Sequence, residues 1–205
     1  MSNTDIDKPK LINGDCLEIL KGMPDKSVDL VLTDPPYGVN LGYDICEDTQ
    51  DNLRELIRKV LPEMLRIGKV VALTPGVINI GLYPNYKWIL AWINTAGAGS
   101  GPWCFTCWQP ILVWGADPFL AGGKGRRPDF IQDNSRGGEF GHPCSKPLSL
   151  MRQIIERTSL HEGDTILDPF CGSGTTCVAA KILGRKYIGI EISPVYAEIA
   201  RKRVE

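Results

Sequence analysis

The chain has 205 residues, of which 43% are hydrophobic and 23% are charged, and its formal net charge is −1. This composition predicts one well-buried domain and excludes a global positive field, so nucleic-acid binding would need a local basic patch. Seven cysteines without a framework spacing, a polar first segment and the lack of an ~18-residue apolar run indicate free thiols, a reducing cytoplasm and no membrane span.

Strands and helices alternate along the predicted chain. The first half contains strand KLING, a helix over DCLEILKGM, strand VDLVLT, an amphipathic helix over NLRELIRKVLPEMLRIG, and strand KVVALT. Strands KWILAWIN and PILVWG follow, and an irregular stretch covers 116–141. The last part contains helix LSLMRQIIERTS, strand TILD, a glycine loop, helix TTCVAAKILG, strand KYIGIE and a helix from Pro194. This alternation predicts an α/β fold.

The strand VDLVLT ends in Asp34-Pro35-Pro36-Tyr37 instead of a turn built from glycine or asparagine. The two prolines fix two backbone φ angles and remove two N–H donors, so this segment is rigid. Two interpretations stay open: a stiff strand-to-loop turn without chemistry, or a rigid support for polar groups in a site.

The stretch TILDPFCGSGTTCVAAKILGRKYIGIEIS predicts a βαβ unit. A ligand of such a unit binds outside the carboxyl ends of the strands, where Gly172 and Gly174 allow close approach and Glu191 can accept hydrogen bonds from a ribose diol. The loop lacks both the P-loop ending and the full G-x-G-x-x-G pattern, which favours a phosphate-free nucleoside. The alternative is a tight turn that needs glycine for its geometry alone.

The motifs LTDPPYG, HPCSKP and LDPFCGSGTT together resemble the amino-group DNA methyltransferases that use S-adenosylmethionine. Their order is that of the permuted β-type members, in which Asp-Pro-Pro-Tyr precedes the glycine loop. The resemblance implies a Rossmann-like, circularly permuted fold with a seven-stranded, mostly parallel sheet, in which KLING lies beside the strand that ends at Glu191. It covers most of the chain and is weakest between Trp88 and Gly141.

For the chemistry, the resemblance implies catalytic roles for Asp34, Pro35, Pro36 and Tyr37. An exocyclic amine is a poor nucleophile because its lone pair is delocalised into the ring. The Asp34 carboxylate and the Pro35 carbonyl can each accept one N–H and aim this lone pair at the sulfonium methyl, while Tyr37 offers a face to a flipped-out base. Asp34 can also hold the ammonium group of the cofactor, and both roles stay open.

The resemblance also implies a set of cofactor contacts. Asp15-Cys16 would lie near the adenine, although Asp15 with Glu18 also matches a capping box, which explains both residues without a cofactor. The motif that contains His142 and Lys146 would lie against the methionine and ribose portion, and Lys146 is the favoured contact. The predicted cofactor residues are Asp15, Cys16, Asp34, His142, Lys146, Asp168, Phe170, Cys171, Gly172, Ser173, Gly174, Thr175 and Glu191.

DNA contacts are predicted in the insertion 116–141, whose segment GGKGRRPDF is basic. The predicted DNA-binding residues are Lys124, Arg126 and Arg127. The alternative is a solvated surface loop whose charges bind nothing. An insertion this short predicts either a short target sequence or the help of a second copy, because members of the family frequently form homodimers.

The segment WCFTCW combines a C-x-x-C pair with three aromatic residues. The spacing of Cys104 and Cys107 fits zinc, but only one residue separates the pair His142 and Cys144 that would complete the site, so no metal is predicted. The aromatics could stack on displaced bases; a buried position is predicted for Trp108, and Trp103 is left open.

The predicted function is methyl transfer from S-adenosylmethionine to the N6 amine of adenine in DNA, as in restriction–modification. Asp34 favours adenine, because cytosine-N4 enzymes of the family often have Ser at this position. Cytosine-N4 methylation is one alternative. A non-catalytic DNA- or cofactor-binding protein is the other, favoured by the missing recognition domain and by Gln109, where the family often has Glu.

Overall fold

The computed structural model describes residues 8–39, 48–97, 99–101, 103–137 and 145–205. Its strands are β1 (Lys10–Asn13), β2 (Val28–Thr33), β3 (Gly68–Leu73), β4 (Trp88–Ile93), β5 (Gly99–Ser100), β6 (Phe105–Thr106), β7 (Trp108–Trp114), β8 (Phe130–Gln132), β9 (Thr165–Asp168) and β10 (Lys186–Glu191). Eight of them form one sheet in the order β1-β10-β9-β2-β3-β7-β4-β8, and β5 and β6 form a separate antiparallel hairpin.

Neighbouring strands of the sheet are parallel except for β7, which runs antiparallel to β3 and β4. The N-terminal strand β1 lies beside β10, as predicted. The predicted count of seven strands is wrong, because the described residues form eight. The additional strand is β8, the outermost strand of the sheet next to β4, and it lies within the segment 116–141. Its three residues are too few to show a periodic pattern in the sequence.

The helices are α1 (Cys16–Lys21), α2 (Gln50–Ile67), α3 (Pro118–Ala121), α4 (Leu148–Thr158), α5 (Thr175–Ile182) and α6 (Pro194–Val204), with a 3₁₀ helix at Val77–Leu82. Helix α2 continues through Pro62, and α3 is the second regular element in the stretch predicted to be irregular. None of the described helices is both long and apolar enough to cross a bilayer.

The sheet buries apolar side chains on both faces. Leu30 and Leu32 of β2 belong to the core cluster that contains Ile154 of α4, whereas Val31 belongs to the cluster that contains Met64 of α2. A strand covered on both sides reads as a continuous apolar run, which is why VDLVLT was recognisable.

The ends of the sheet differ in what they carry. We call the edge at which β2, β3, β4, β9 and β10 finish the carboxyl edge and the opposite one the amino edge. Because β7 is antiparallel to its neighbours, it begins at the carboxyl edge and finishes at the amino edge. Loops that follow the parallel strands therefore meet at the carboxyl edge, where ligands of open α/β sheets bind.

Candidate active site

The two principal motifs meet at the carboxyl edge. Strands β2 and β9 are parallel neighbours, so Asp34 directly follows one strand and Asp168 ends the next. The Thr33 hydroxyl donates a hydrogen bond of 2.6 Å to Asp168 Oδ1, and this links the two strand ends. A cavity of about 490 Å³ is lined by both motifs. The sheet topology thus brings together segments that are over 130 residues apart in the chain.

Asp34 lies at the centre of a polar cluster. Its Oδ1 accepts hydrogen bonds from the Tyr37 and Thr74 hydroxyls, each at 2.5 Å, and its Oδ2 accepts one from Lys146 Nζ at 2.8 Å. Lys146 Nζ also donates to the Tyr37 hydroxyl at 2.6 Å. A carboxylate has about four lone-pair positions, so these three donors leave one on Oδ2 for a further N–H.

The protonation states of this cluster follow from its burial. Burial, followed by the Asp34 charge, raises the pKa of Tyr37 well above its usual value, so the phenol stays neutral. Burial by itself lowers the pKa of Lys146, but Asp34 and Tyr37 more than offset this, and the net shift is upward. Lys146 therefore stays charged, and Tyr37 remains a hydrogen-bond donor.

Three side chains outside the motif hold the loop that follows Asp34. The Asp48 carboxylate accepts from Gly38 N at 2.7 Å and from Val39 N at 3.0 Å. Gln50 Nε2 and Asn79 Nδ2 both donate to the Tyr37 carbonyl, at 3.0 and 2.9 Å. Pro35 and Pro36 line the cavity. The rigidity predicted from the prolines is thus reinforced by contacts that no sequence pattern indicated.

The glycine loop packs between the cavity and the last helix. Gly172 and Gly174 have positive φ angles of 51° and 83°, a conformation that glycine adopts without strain. Gly174 was predicted to contact the cofactor, but it is not among the residues that line the cavity. A Cβ added at Gly174 would lie 2.8 Å from Ala200 Cβ in α6. Gly174 serves close packing of the loop, whereas Phe170, Cys171, Gly172, Ser173 and Thr175 line the cavity.

Arg203 of α6 joins that helix to the glycine loop. Its Nη1 donates to the Ser173 carbonyl at 2.7 Å, to Ser173 Oγ at 3.0 Å and to Thr175 Oγ1 at 3.2 Å. The sequence provided no signal for this role, because Arg203 is one of several basic residues in the last turn of the helix.

Glu191 ends β10 and lines the same cavity. Its Oε2 accepts from Gly172 N and its Oε1 from Ser193 N, both at 2.8 Å. Burial raises the pKa of Glu191, although these two amides oppose the shift. The Ile192 amide is a third donor to this carboxylate. Three donors leave at least one of its about four lone-pair positions, so the predicted contact with a diol is compatible with the geometry.

Asp168 and the first helix complete the cavity. Burial raises the pKa of Asp168 to about 6, against hydrogen bonds from Thr176, Thr33 and the Phe170 amide. Asp15 caps α1 by accepting from Leu17 N at 2.7 Å, while Glu18 pairs with Lys21 instead of closing a capping box. Asp15 and Cys16 also line the cavity, and burial raises the pKa of the Cys16 thiol to about 12.

The structure separates the predicted DNA-binding residues from this cavity. Helix α3 follows the end of β7 at the amino edge, and its capping residue Asp117 pairs with Arg157 in the last turn of α4 at 2.7 Å. The Lys124 amide donates to the Phe119 carbonyl, and the Arg127 guanidinium lies 4.1 Å from the Phe119 ring centroid. Lys124, Arg126 and Arg127 therefore lie at the amino edge, a six-residue strand or about 20 Å from the edge that carries Asp34.

Two other expectations concern side chains away from the cavity. Trp108 is 40% exposed, so the buried position predicted for it is wrong. Cys104 and Cys107 are exposed free thiols, and the described residues contain no cluster of three or more potential metal ligands. His142 and Cys144 lie outside the described residues.

Comparison with known proteins identifies the family to which this chain is similar. The family model described as DNA methylase matches residues 88–202. The YubD protein of Escherichia coli (strain K12) is 32% identical over 209 residues, which cover 95% of this chain and 89% of that protein. The type II methyltransferase M.HpaI of Haemophilus parainfluenzae is 29% identical over 96% of this chain and 74% of its own length.

Solved structures share the fold. The M1.HpyAVI–SAM complex superimposes with a TM-score of 0.69 at 24% identity, covering 96% of this chain and 98% of that one. The cytosine-N4-specific PvuII DNA methyltransferase gives a TM-score of 0.68 at 19% identity, covering 97% of this chain and 89% of that one. Because the family model matches more than half of the chain and the identity to YubD extends over nearly all of both proteins, the chain belongs to the DNA methylase family.

Proposed function

We propose that this protein transfers a methyl group from S-adenosylmethionine to the N6 amine of adenine in DNA. The observation that carries this proposal is the position of Asp34. Its carboxylate is held by three donors, retains one acceptor position on Oδ2, and lines the same cavity as the glycine loop and Glu191.

The cofactor side of the cavity fits S-adenosylmethionine. A volume of about 490 Å³ lies in the range of small-molecule sites. Glu191 would accept from the ribose hydroxyls, and Gly172 permits close approach of the backbone. M1.HpyAVI, which shares the fold, is a protein solved with this cofactor. The cofactor supplies an electrophilic methyl group on a sulfonium.

The remaining steps belong to the residues of this chain. The free lone pair of Asp34 Oδ2 accepts one N–H of the target amine, and the Pro35 carbonyl is the proposed second acceptor, so that the nitrogen lone pair is directed at the methyl carbon. The new N–C bond forms as the C–S bond breaks, with its electron pair passing to sulfur. The product amine then loses a proton to water. Tyr37 and Thr74 keep the carboxylate in place throughout.

The choice of adenine rests on Asp34, which stands where cytosine-N4 enzymes of the family often have Ser. The fold does not decide between the two bases, because the cytosine-N4-specific PvuII enzyme shares it. The three donors that hold Asp34, together with the acceptor position that remains on its Oδ2, favour an enzyme over a non-catalytic binding protein, since a chain without chemistry has no need to fix a partly exposed carboxylate in this way.

The test is methylation of unmodified DNA by the purified chain with S-adenosylmethionine, followed by mass analysis of the nucleosides. N6-methyladenine is the expected product. N4-methylcytosine would overturn the choice of base, and the absence of both products would favour the non-catalytic alternative. Asp34→Ala should reduce single-turnover transfer by on the order of 10²-fold or more. Its fold is checked by circular dichroism and thermal unfolding, because Asp34 is also a predicted contact of the cofactor.

A further inference from the structure

The hairpin of β5 and β6 carries exposed aromatic residues. We call these two strands and Trp103 between them the aromatic hairpin. Trp103 is 95% exposed and Phe105 is 77% exposed, whereas Trp92 of β4 and Trp114 of β7 are buried. Large aromatic side chains that project together into solvent are characteristic of contact surfaces, because they contribute nothing to a core in that position.

The aromatic hairpin lies at the same edge of the sheet as Asp34. It connects the end of β4 with the start of β7, and both of these lie at the carboxyl edge. Strands β7 and β4 are the second and third strands from β2, which places them roughly 10 and 14 Å from it at a strand spacing of ~4.8 Å. At ~3.4 Å per base pair, this corresponds to roughly three or four base pairs of a duplex.

The base of the aromatic hairpin is held in place. Asn94 N donates to the Cys107 carbonyl at 2.9 Å, which closes the hairpin at the ends of β4 and β7. Thr95 N donates to Asn134 Oδ1 at 2.9 Å, which ties it to the segment that follows β8. These contacts fix the base of the hairpin relative to the sheet.

The amino-acid composition of the aromatic hairpin indicates which part of DNA it contacts. The sequence from Asn94 to Ala116 contains no Lys, Arg, His, Asp or Glu, so no side chain of this segment can form an ion pair with a phosphate. Aromatic rings stack on the faces of bases without needing charge, and apolar side chains can insert between base steps. An uncharged aromatic surface at the carboxyl edge is therefore suited to contact bases near the extruded nucleotide.

A second copy of the chain fits the hairpin less well. A stable dimer buries about 800 Å² on each partner, whereas two aromatic side chains supply roughly 300 to 500 Å². The contact area of Trp103 and Phe105 is thus too small for a stable interface but suitable for stacking on one or two bases.

We propose that the aromatic hairpin is a DNA-contacting element that packs Trp103 and Phe105 against bases roughly three or four base pairs from the target nucleotide. The proposal rests on the proposed function, which requires duplex DNA to lie across the carboxyl edge. It moves the expected DNA surface away from Lys124, Arg126 and Arg127 at the amino edge and assigns the recognition of bases to an uncharged element.

The test compares binding of a fluorescein-labelled 40-base-pair duplex of random sequence to wild type and to the double variant Trp103→Ser/Phe105→Ser. The double variant should bind about 10-fold or more weakly, as expected from the loss of one base–aromatic stack. The log–log slope of affinity against salt should stay unchanged, because no phosphate contact is removed. Cofactor affinity in calorimetry should also be unchanged, which shows that the variant is folded.

Trp88→Ser is the matched control. Trp88 is also an exposed tryptophan, at 59%, but it begins β4 at the amino edge, so its replacement should leave DNA affinity unchanged. Wild-type DNA affinity in the double variant would overturn the proposal, as would an equal loss in Trp88→Ser. A change in sedimentation from dimer to monomer would also overturn it and identify the hairpin as a contact between copies.

The outcomes separate this proposal from the proposed function. If wild type methylates DNA and the double variant binds the duplex normally, only the hairpin assignment fails. If wild type binds DNA through the hairpin but methylates no base, the DNA contact stands and the proposed chemistry fails.

Discussion

Lys146 provides the sharpest test of the site, because the resemblance and the structure assign it different contacts. The resemblance implies that Lys146 contacts the cofactor. In the structure its ammonium donates instead to Asp34 Oδ2 at 2.8 Å and to the Tyr37 hydroxyl at 2.6 Å, and its side chain is only 10% exposed. We therefore predict that Lys146→Met impairs methyl transfer rather than cofactor binding.

The magnitude follows from those two bonds. A hydrogen bond to a charged group contributes about 1.5–3 kcal/mol, and Asp34 keeps the Tyr37 and Thr74 donors after the change. A loss of about 2–4 kcal/mol in alignment of the carboxylate corresponds to roughly 30- to 1,000-fold in single-turnover rate. Cofactor affinity in calorimetry should change by less than about 3-fold, a shift of only ~0.7 kcal/mol.

Lys59→Met is the control, since Lys59 also lines the cavity but is 46% exposed and pairs with Glu55 on its own helix. It should leave the transfer rate near that of wild type. The reasoning would be refuted if Lys146→Met weakened S-adenosylmethionine binding more than 10-fold while the rate at saturating cofactor stayed normal. Because the pKa of Lys146 is raised, its ammonium group stays charged and paired with Asp34 at every pH up to the usual lysine pKa near 10.4. Deprotonation of Lys146 should therefore cause no decrease in the transfer rate at alkaline pH below that value.

Three further predictions concern Glu191, Asp168 and the glycine loop. Glu191→Ala should weaken S-adenosylmethionine binding by roughly 10- to 100-fold through loss of a charged acceptor, and wild-type affinity in calorimetry would show that the ribose lies elsewhere. The pKa of Asp168 is raised to about 6, so ionisation of this carboxyl lowers the free energy of unfolding as the pH rises from about 4 to 6. The free energy of unfolding of Asp168→Asn, measured with urea, should therefore increase relative to that of wild type by on the order of 2–3 kcal/mol across this pH range. A difference between the two proteins that stays constant with pH would contradict the raised pKa. Gly174→Ala should lower the free energy of unfolding by about 1–3 kcal/mol more than Gly163→Ala, because the new methyl group at position 174 meets Ala200. Gly163 is the control, since its φ of 84° is similar but nothing lies within 4 Å of a Cβ added there. Equal losses in the two variants would show that α6 moves away from the new methyl group at no cost.

Much of the fold was readable from local patterns. The strands that end at Thr33 and Asp168 are runs of apolar residues, and the following helices show apolar stripes or glycine punctuation, so their positions follow from periodicity alone. The placement of β1 beside β10 was implied by the resemblance to the permuted methyltransferases and not by the residues of the strand itself. The three-residue β8 was missed because pairing with β4, not its own sequence, makes it a strand.

The residue types of the candidate site were also accessible from the sequence, because Asp34 and the glycine loop follow strands whose carboxyl ends meet in an α/β sheet. Their partners were not. Asn79 and Asp48 hold the loop after Asp34 through hydrogen bonds to backbone atoms, and such contacts leave no periodic trace in a sequence.

The location of the charged and aromatic surfaces was decided by tertiary structure alone. From the sequence, Arg126 and its basic neighbours formed the obvious DNA surface, and Trp108 was expected to be buried. The antiparallel direction of β7 carries the chain after Trp114 to the amino edge and leaves Trp103 and Trp108 at the carboxyl edge. The buried position expected for Trp108 is therefore wrong, whereas the DNA contact of the basic residues stays a prediction. Local sequence determines which segments become strands, but the direction in which a strand joins the sheet depends on non-local pairing, and that direction determines which loops share an edge with Asp34.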